Sequence, residues 1–119
     1  AGDLGTVAVK VGDEYVPYSP EAAAAIIDAS PREEGRGDTD MAISVDRSSS
    51  APNVYPIVLV SYLIACNEYA EGAPVDLVKA YLSYVIGAEG QSLAAESAGS
   101  APISEALFTE AQAAIDAIK

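Results

Sequence analysis

The sequence predicts an α/β chain, and three observations carry that reading. A short alternating run meets a Gly-led turn, a β-branched and aromatic run occupies the middle, and three helical stretches come after it. In chain order, Thr6 to Val11 places Val7, Val9 and Val11 on one face of a strand, and Gly12-Asp13 forms a two-residue loop into Glu14-Tyr15-Val16. Glycine leading the loop fits a type II′ hairpin turn, which needs positive φ at its first central position. Ser19-Pro20-Glu21 then supplies an N-cap hydroxyl, a proline at the first helical position and an acid in the first turn. A helix is predicted from Pro20 to about Ala29, with Ala22, Ala25, Ile26 and Ala29 as a shallow apolar stripe and Ser30-Pro31 as its stop.

From Pro31 to Asn53 the composition turns to Arg, Glu, Asp, Gly and Ser around one apolar island, Met41 to Val45. This reads as a long connector, with the island as a short strand or fixed crossing segment, because so long a structureless loop is unusual in a compact domain. Tyr55 to Cys66 lacks clean alternation and reads as a central strand covered on both faces, with Pro56 near its start where a missing N–H is tolerated. Three helices are predicted after it: Pro74 to Ile86, Gln91 to Ala98, and Ser104 to Ile118. Leu77, Val78, Tyr81, Leu82 and Val85 form the core face of the first, and Leu107, Phe108, Ala111, Ile115 and Ile118 that of the last. Gly87 and Gly99 stand where left-handed C-caps are expected.

A chain of 119 residues makes one small domain. With 50% apolar and 20% charged residues it can fill a core. Lys+Arg 6 against Asp+Glu 18 gives a net charge of −12, which repels phosphate backbones and anionic lipid and argues against nucleic acid as a partner. The absence of His removes triads and His-based zinc sites. Cys66, the one cysteine, cannot form an internal disulfide or a cysteine metal cluster; it reads as a buried apolar thiol or as half of a bridge to another segment. No catalytic residue, metal site or cofactor is predicted. Ala1-Gly2-Asp3-Leu4 shows neither an initiator Met nor a signal pattern, so the chain is expected to be a processed or excised piece. Tyr55 to Cys66 is also too short for a membrane span, which needs about 20 apolar residues.

The remaining constellations read as surface. Asp13-Glu14, Glu33-Glu34 and Asp38/Asp40 are acid pairs in turns and the connector, and the calcium-loop pattern fails because Met41-Ala42-Ile43 follows Asp40. Arg36-Gly37-Asp38 spells an adhesion tripeptide that chance explains. Ser48-Ser49-Ser50 has no helix N-terminus behind it and reads as linker. The tyrosines serve core packing with a polar tip.

Three blocks together resemble the C-terminal third of the phosphate-binding proteins of Pst-type ABC importers. Val9 to Glu21 looks like that family's basic strand, Gly turn, aromatic-Val-x-Pro, Ser/Thr and helix. Val54 to Tyr62 is similar to its aromatic-Pro-Ile crossover strand. Gly87-Ala88-Glu89-Gly90-Gln91, with Ala98-Gly99-Ser100-Ala101-Pro102-Ile103 after it, resembles the EGQ and AG-x-x-P-L signature ahead of the terminal helix. The resemblance implies a partial periplasmic-binding-protein fold. Residues 1–53 become the tail of the second lobe with its connector, 54–57 a hinge strand (Val54, Tyr55, Pro56, Ile57), and 58–119 the C-terminal part of the first lobe.

The same resemblance implies a non-enzymatic, extracytoplasmic protein, lipid-anchored or secreted, that captures inorganic phosphate and delivers it to an ABC transporter permease. The family's phosphate ligands lie upstream of Ala1, so none is carried onto this chain. A dehydrated phosphate needs converging N–H donors and usually an Arg, whereas Arg32, Arg36 and Arg47 all lie in the acidic connector. In an oxidising compartment the partner of Cys66 would lie in that upstream portion. An apolar face and strand edge are expected to be covered by the missing N-terminal portion or by a homodimer partner. The alternative function is an acidic structural or protein-interaction module without ligand binding of its own.

Overall fold

The computed structural model describes residues 5–119, leaving Ala1 to Leu4, and with them the reading of the first residues, outside the described part. The described residues are mixed α/β: a two-stranded antiparallel hairpin and four helices. Strand β1 (Val9–Val11) pairs with β2 (Glu14–Val16) in the register Val9↔Val16, Lys10↔Tyr15, Val11↔Glu14. Gly12 has φ 59 and Asp13 is not in the positive-φ region, the sign pattern of a type II′ turn. The strand is shorter than the alternation suggests, and Val7 is left exposed.

Helix α1 (Pro20–Asp28) starts as its caps dictate, with the Ser19 hydroxyl accepting from the Ala22 N–H at 3.1 Å. Ile26 sits at 0% exposure, the one large side chain completely enclosed among the described residues, against Val11, Val16, Ala22 and Val54. Ala29, expected to belong to this stripe, is exposed. The connector is held at its apolar island: Arg32 and Ile43 form an isolated antiparallel bridge, with Glu33 N–H donating to Ala42 O and Ser44 N–H to Pro31 O, each at 2.9 Å. The island is thus a fixed crossing segment.

Helices α2 (Val75–Ile86), α3 (Ala88–Ala98) and α4 (Glu105–Asp116) form the other end. Both α3 and α4 pack on α2. Leu82, Ile115 and Ile118 make a second core cluster, with Tyr69, Val75, Val78 and Ile86 half-buried around it. Lys119 closes this end through its backbone, accepting from Tyr69 N–H at 2.8 Å and donating to Asn67 O at 2.9 Å. Leu77 and Tyr81, expected on the core face, are 69% and 59% exposed, so the buried stripe of α2 is narrower than its apolar stripe.

Two further corrections concern Gly87 and α3. Gly87 has φ −71 and ψ 162, extended and not left-handed, because it ends α2 and caps the start of α3 at once. A left-handed residue there would send the chain elsewhere. Helix α3 accordingly begins at Ala88, three residues before the predicted Gln91, and ends as expected at Gly99 with φ 68.

The largest departure from expectation lies in the middle. Tyr55 to Cys66 pairs with no other strand among the described residues, so the central strand is an extended segment without a sheet. Its residues retain the strand pattern of sequence, but strand pairing is a long-range property and no neighbour is in place to supply it. The molecule is correspondingly open. Its radius of gyration is 16.3 Å, where a compact chain of this length has about 13.5 Å. Its accessible surface is 8256 Å² against about 6,060 Å² for a compact monomer of 12.2 kDa, an excess of about 2,200 Å².

Candidate functional site

The extended segment is anchored at its start. Val54 and Pro56 are buried, Tyr55 N–H donates to Ala22 O of α1 at 2.9 Å, and the Tyr55 ring meets Tyr18 edge-on at a centroid distance of 5.8 Å. Ile57, the last of the four hinge-strand residues, is 65% exposed, while Val58 after it still packs against this core.

Arg47 straightens the segment beyond this anchor. Its guanidinium donates from Nη1 to Pro56 O at 2.8 Å and from Nη2 to Val58 O at 3.1 Å. In an extended chain the carbonyls of residues i and i+2 share an edge, so one planar fork reaching both holds residues 56–58 straight. The donor-less Pro56 lies on the edge that Arg47 covers. The opposite edge carries the N–H and C=O of Ile57 and Leu59 and, by the same alternation, of Ser61. Burial alternates as well: Val58 and Val60 are half-buried, whereas Ile57, Leu59 and Ser61 are exposed, Leu59 at 92%. The Tyr62 hydroxyl accepts from Ile43 N–H at 3.0 Å, which ties the far part of the segment to the connector. One face is therefore partly covered and the other bare, where the sequence suggests cover on both.

The EGQ block acts as a staple between helices. Gln91 donates from Nε2 to Val85 O at 2.9 Å and accepts from Ile103 N–H at its Oε1, also at 2.9 Å. One amide thus satisfies an orphan carbonyl at the end of α2 and an N–H on the approach to α4. Gly90 lies buried against the same helix end, where a Cβ would stand 2.2 Å from Tyr84 O. The Gly99 carbonyl accepts from the Tyr18 hydroxyl at 3.1 Å, and Ser104, the N-cap of α4, donates to Asp28 Oδ1 at 2.7 Å. These exposed polar contacts join the two ends of the molecule.

The three arginine side chains bind groups of the chain itself. Arg32 donates to Met41 O at 2.7 Å and pairs with Glu110, Arg36 pairs with Asp40 at 2.7 Å, and Arg47 holds the segment carbonyls. Among the described residues no group of three or more Cys, Asp or Glu is placed to hold a metal ion, and no helix is long and apolar enough to cross a membrane. Cys66 is exposed with a free thiol, which overturns its reading as a buried apolar residue: its stretch of chain has no sheet to enclose it.

Of the acid pairs, Asp40 has a structural task. Its carboxylate accepts from Ala42 N–H at 3.0 Å and from Arg36 Nε at 2.7 Å; these bonds, the backbone one foremost, hold it below the usual carboxylate range. Arg36 is raised in turn, chiefly by its hydrogen bond to Asp40. Because the folded value is depressed, the contribution of Asp40 is present above the unfolded value of about 3.9 and is lost as pH falls through the folded value. The expected result is a carboxyl NMR titration of Asp40 with its midpoint below about 3.9, accompanied in step by the Ala42 amide. A midpoint at or above the ordinary value would contradict the bonding described.

Sequence reasoning does not single out Arg47 or Gly90 as structural determinants, although Gly90 and Gln91 fall within the EGQ block. For Gly90 the available signal is a glycine beside a glutamine at the start of a helical pattern, since a glycine that costs helix stability calls for a packing reason; nothing comparable points to Arg47. Comparisons with protein-family models, curated proteins and solved structures find no match to this chain.

Proposed function

We propose that this chain is part of an extracytoplasmic phosphate-binding protein that captures inorganic phosphate for an ABC transporter, with the phosphate donors on polypeptide outside these 119 residues. The observation that carries the reading is the behaviour of the resembling blocks. The Gly90-Gln91 signature fastens α2, α3 and the approach to α4, and the aromatic-Pro-Ile block leaves the hairpin core as an extended segment with an unfilled edge. Both features are what a piece of a larger two-lobed protein requires. The engaged state of Arg32, Arg36 and Arg47 agrees with placing the phosphate ligands elsewhere. Delivery to a permease and an extracytoplasmic location rest on the same family likeness.

The acidic interaction module is the second reading, favoured by the bare apolar residues Ile57, Leu59, Leu63 and Ile64. Intact mass of the natural polypeptide carrying this sequence separates the two. The phosphate reading expects a mass well above 12.2 kDa, with upstream residues to complete both lobes. A natural product of 12.2 kDa would sink it.

A further inference from the structure

The longest uncharged stretch of the chain, Ser48 to Asn67, begins directly after Arg47. Within it, Ile57 to Ile64 is aliphatic, β-branched and aromatic around one serine, with no proline and no charge. Such a composition stacks into cross-β sheets when both edges of a strand stand open. The two edges of this segment differ. One carries the exposed residues Ile57, Leu59 and Ser61. On the other, Pro56 has no N–H to give, and the Pro56 and Val58 carbonyls are both taken by the Arg47 guanidinium at 2.8 and 3.1 Å. A strand arriving there would have to displace two charge-assisted hydrogen bonds and leave the guanidinium against apolar chain.

We propose that Arg47 is an edge guard, which limits the extended segment to one neighbouring strand and prevents copies of the chain from stacking through it. Covering an edge with a charged side chain is a known way for a sheet to refuse further strands. A strand open on one edge ends its sheet after one addition, whereas a strand open on both adds neighbours without limit. The guard therefore acts on its own edge whether the opposite one is filled or bare. A planar fork suits the task because it reaches two carbonyls at once, which the single ammonium of a lysine does not. The inference rests on this geometry and not on phosphate, so phosphate binding and the guard fail separately.

Arg47→Ala in the 119-residue chain tests it, with fibre growth followed by thioflavin fluorescence and fibre diffraction. The variant should keep its helicity and grow fibres with the cross-β spacing of about 4.7 Å. Growth should be at least about tenfold faster than in the unaltered chain, the factor that losing one hydrogen bond to a charged group brings. In those fibres the Val60 amide, which shares the guarded edge, should be protected from hydrogen exchange. Should the variant fail to fold, exchange in the unaltered chain and in the natural polypeptide that carries it still decides: the Val60 amide should exchange freely in both. Fibre growth no faster in Arg47→Ala than in the unaltered chain overturns the proposal. So do fibres whose Val60 amide stays open, or a protected Val60 amide while Arg47 is in place.

Discussion

Replacing Ile26 with alanine is expected to destabilise the hairpin end of the molecule by about 3 kcal/mol, within the range for removing a fully buried aliphatic side chain. Among the described residues Ile26 is the centre of a small core whose other buried members are Val11, Val16, Ala22 and Val54, with Ala25, Ile27, Val45, Ala51, Tyr55 and Val58 half-buried around it. The two core clusters share no residue and are bridged by exposed polar contacts such as Tyr18 to Gly99 and Ser104 to Asp28. The loss should therefore be local. Hydrogen exchange on Ile26→Ala should show faster opening of β1, β2 and α1 while α2 and α4 keep their protection. Equal loss at both ends would mean that the clusters form one cooperative unit.

Gly90→Ala is expected to cost about 3 kcal/mol, although alanine is the better helix former by about 1 kcal/mol. The two effects oppose each other, and geometry decides between them. The added Cβ would lie 2.2 Å from Tyr84 O and 3.0 Å from Val85 O, both backbone atoms that no rotamer change can move. Relief requires α3 to slide off the end of α2, which also pulls Gln91 away from Val85 O and Ile103 N–H. Ser92→Ala, at an exposed position of the same helix, is the matched control and should be neutral or slightly stabilising. Denaturant unfolding of the pair checks this. A Gly90→Ala protein more stable than the parent would show that propensity outweighs packing at this site.

The features legible in the sequence are local. The type II′ sign pattern at Gly12-Asp13, the Ser19 and Ser104 caps and the left-handed Gly99 each depend on a few adjacent residues. Gly87 departs from its expected left-handed form because the residue after it already belongs to the next helix, so the space available to the chain, not the residue type, sets its conformation. Tyr55 to Cys66 has strand chemistry, yet pairing needs a neighbour that composition cannot supply. Leu77 and Tyr81 repeat the lesson on a helix: periodicity locates an apolar stripe but does not say how much of it meets a partner. The Arg47 fork on Pro56 and Val58 joins segments whose encounter is set by the tertiary path, and no spacing rule announces it.

The central claim, that phosphate is held by donors outside these residues, meets its most direct test in one calorimetric comparison. Inorganic phosphate titrated into the natural polypeptide that carries this sequence should give saturable one-to-one binding, and titrated into the 119-residue chain it should give none. Tight binding by the 119-residue chain would contradict the placement of the donors, and no binding by the natural polypeptide would contradict the function.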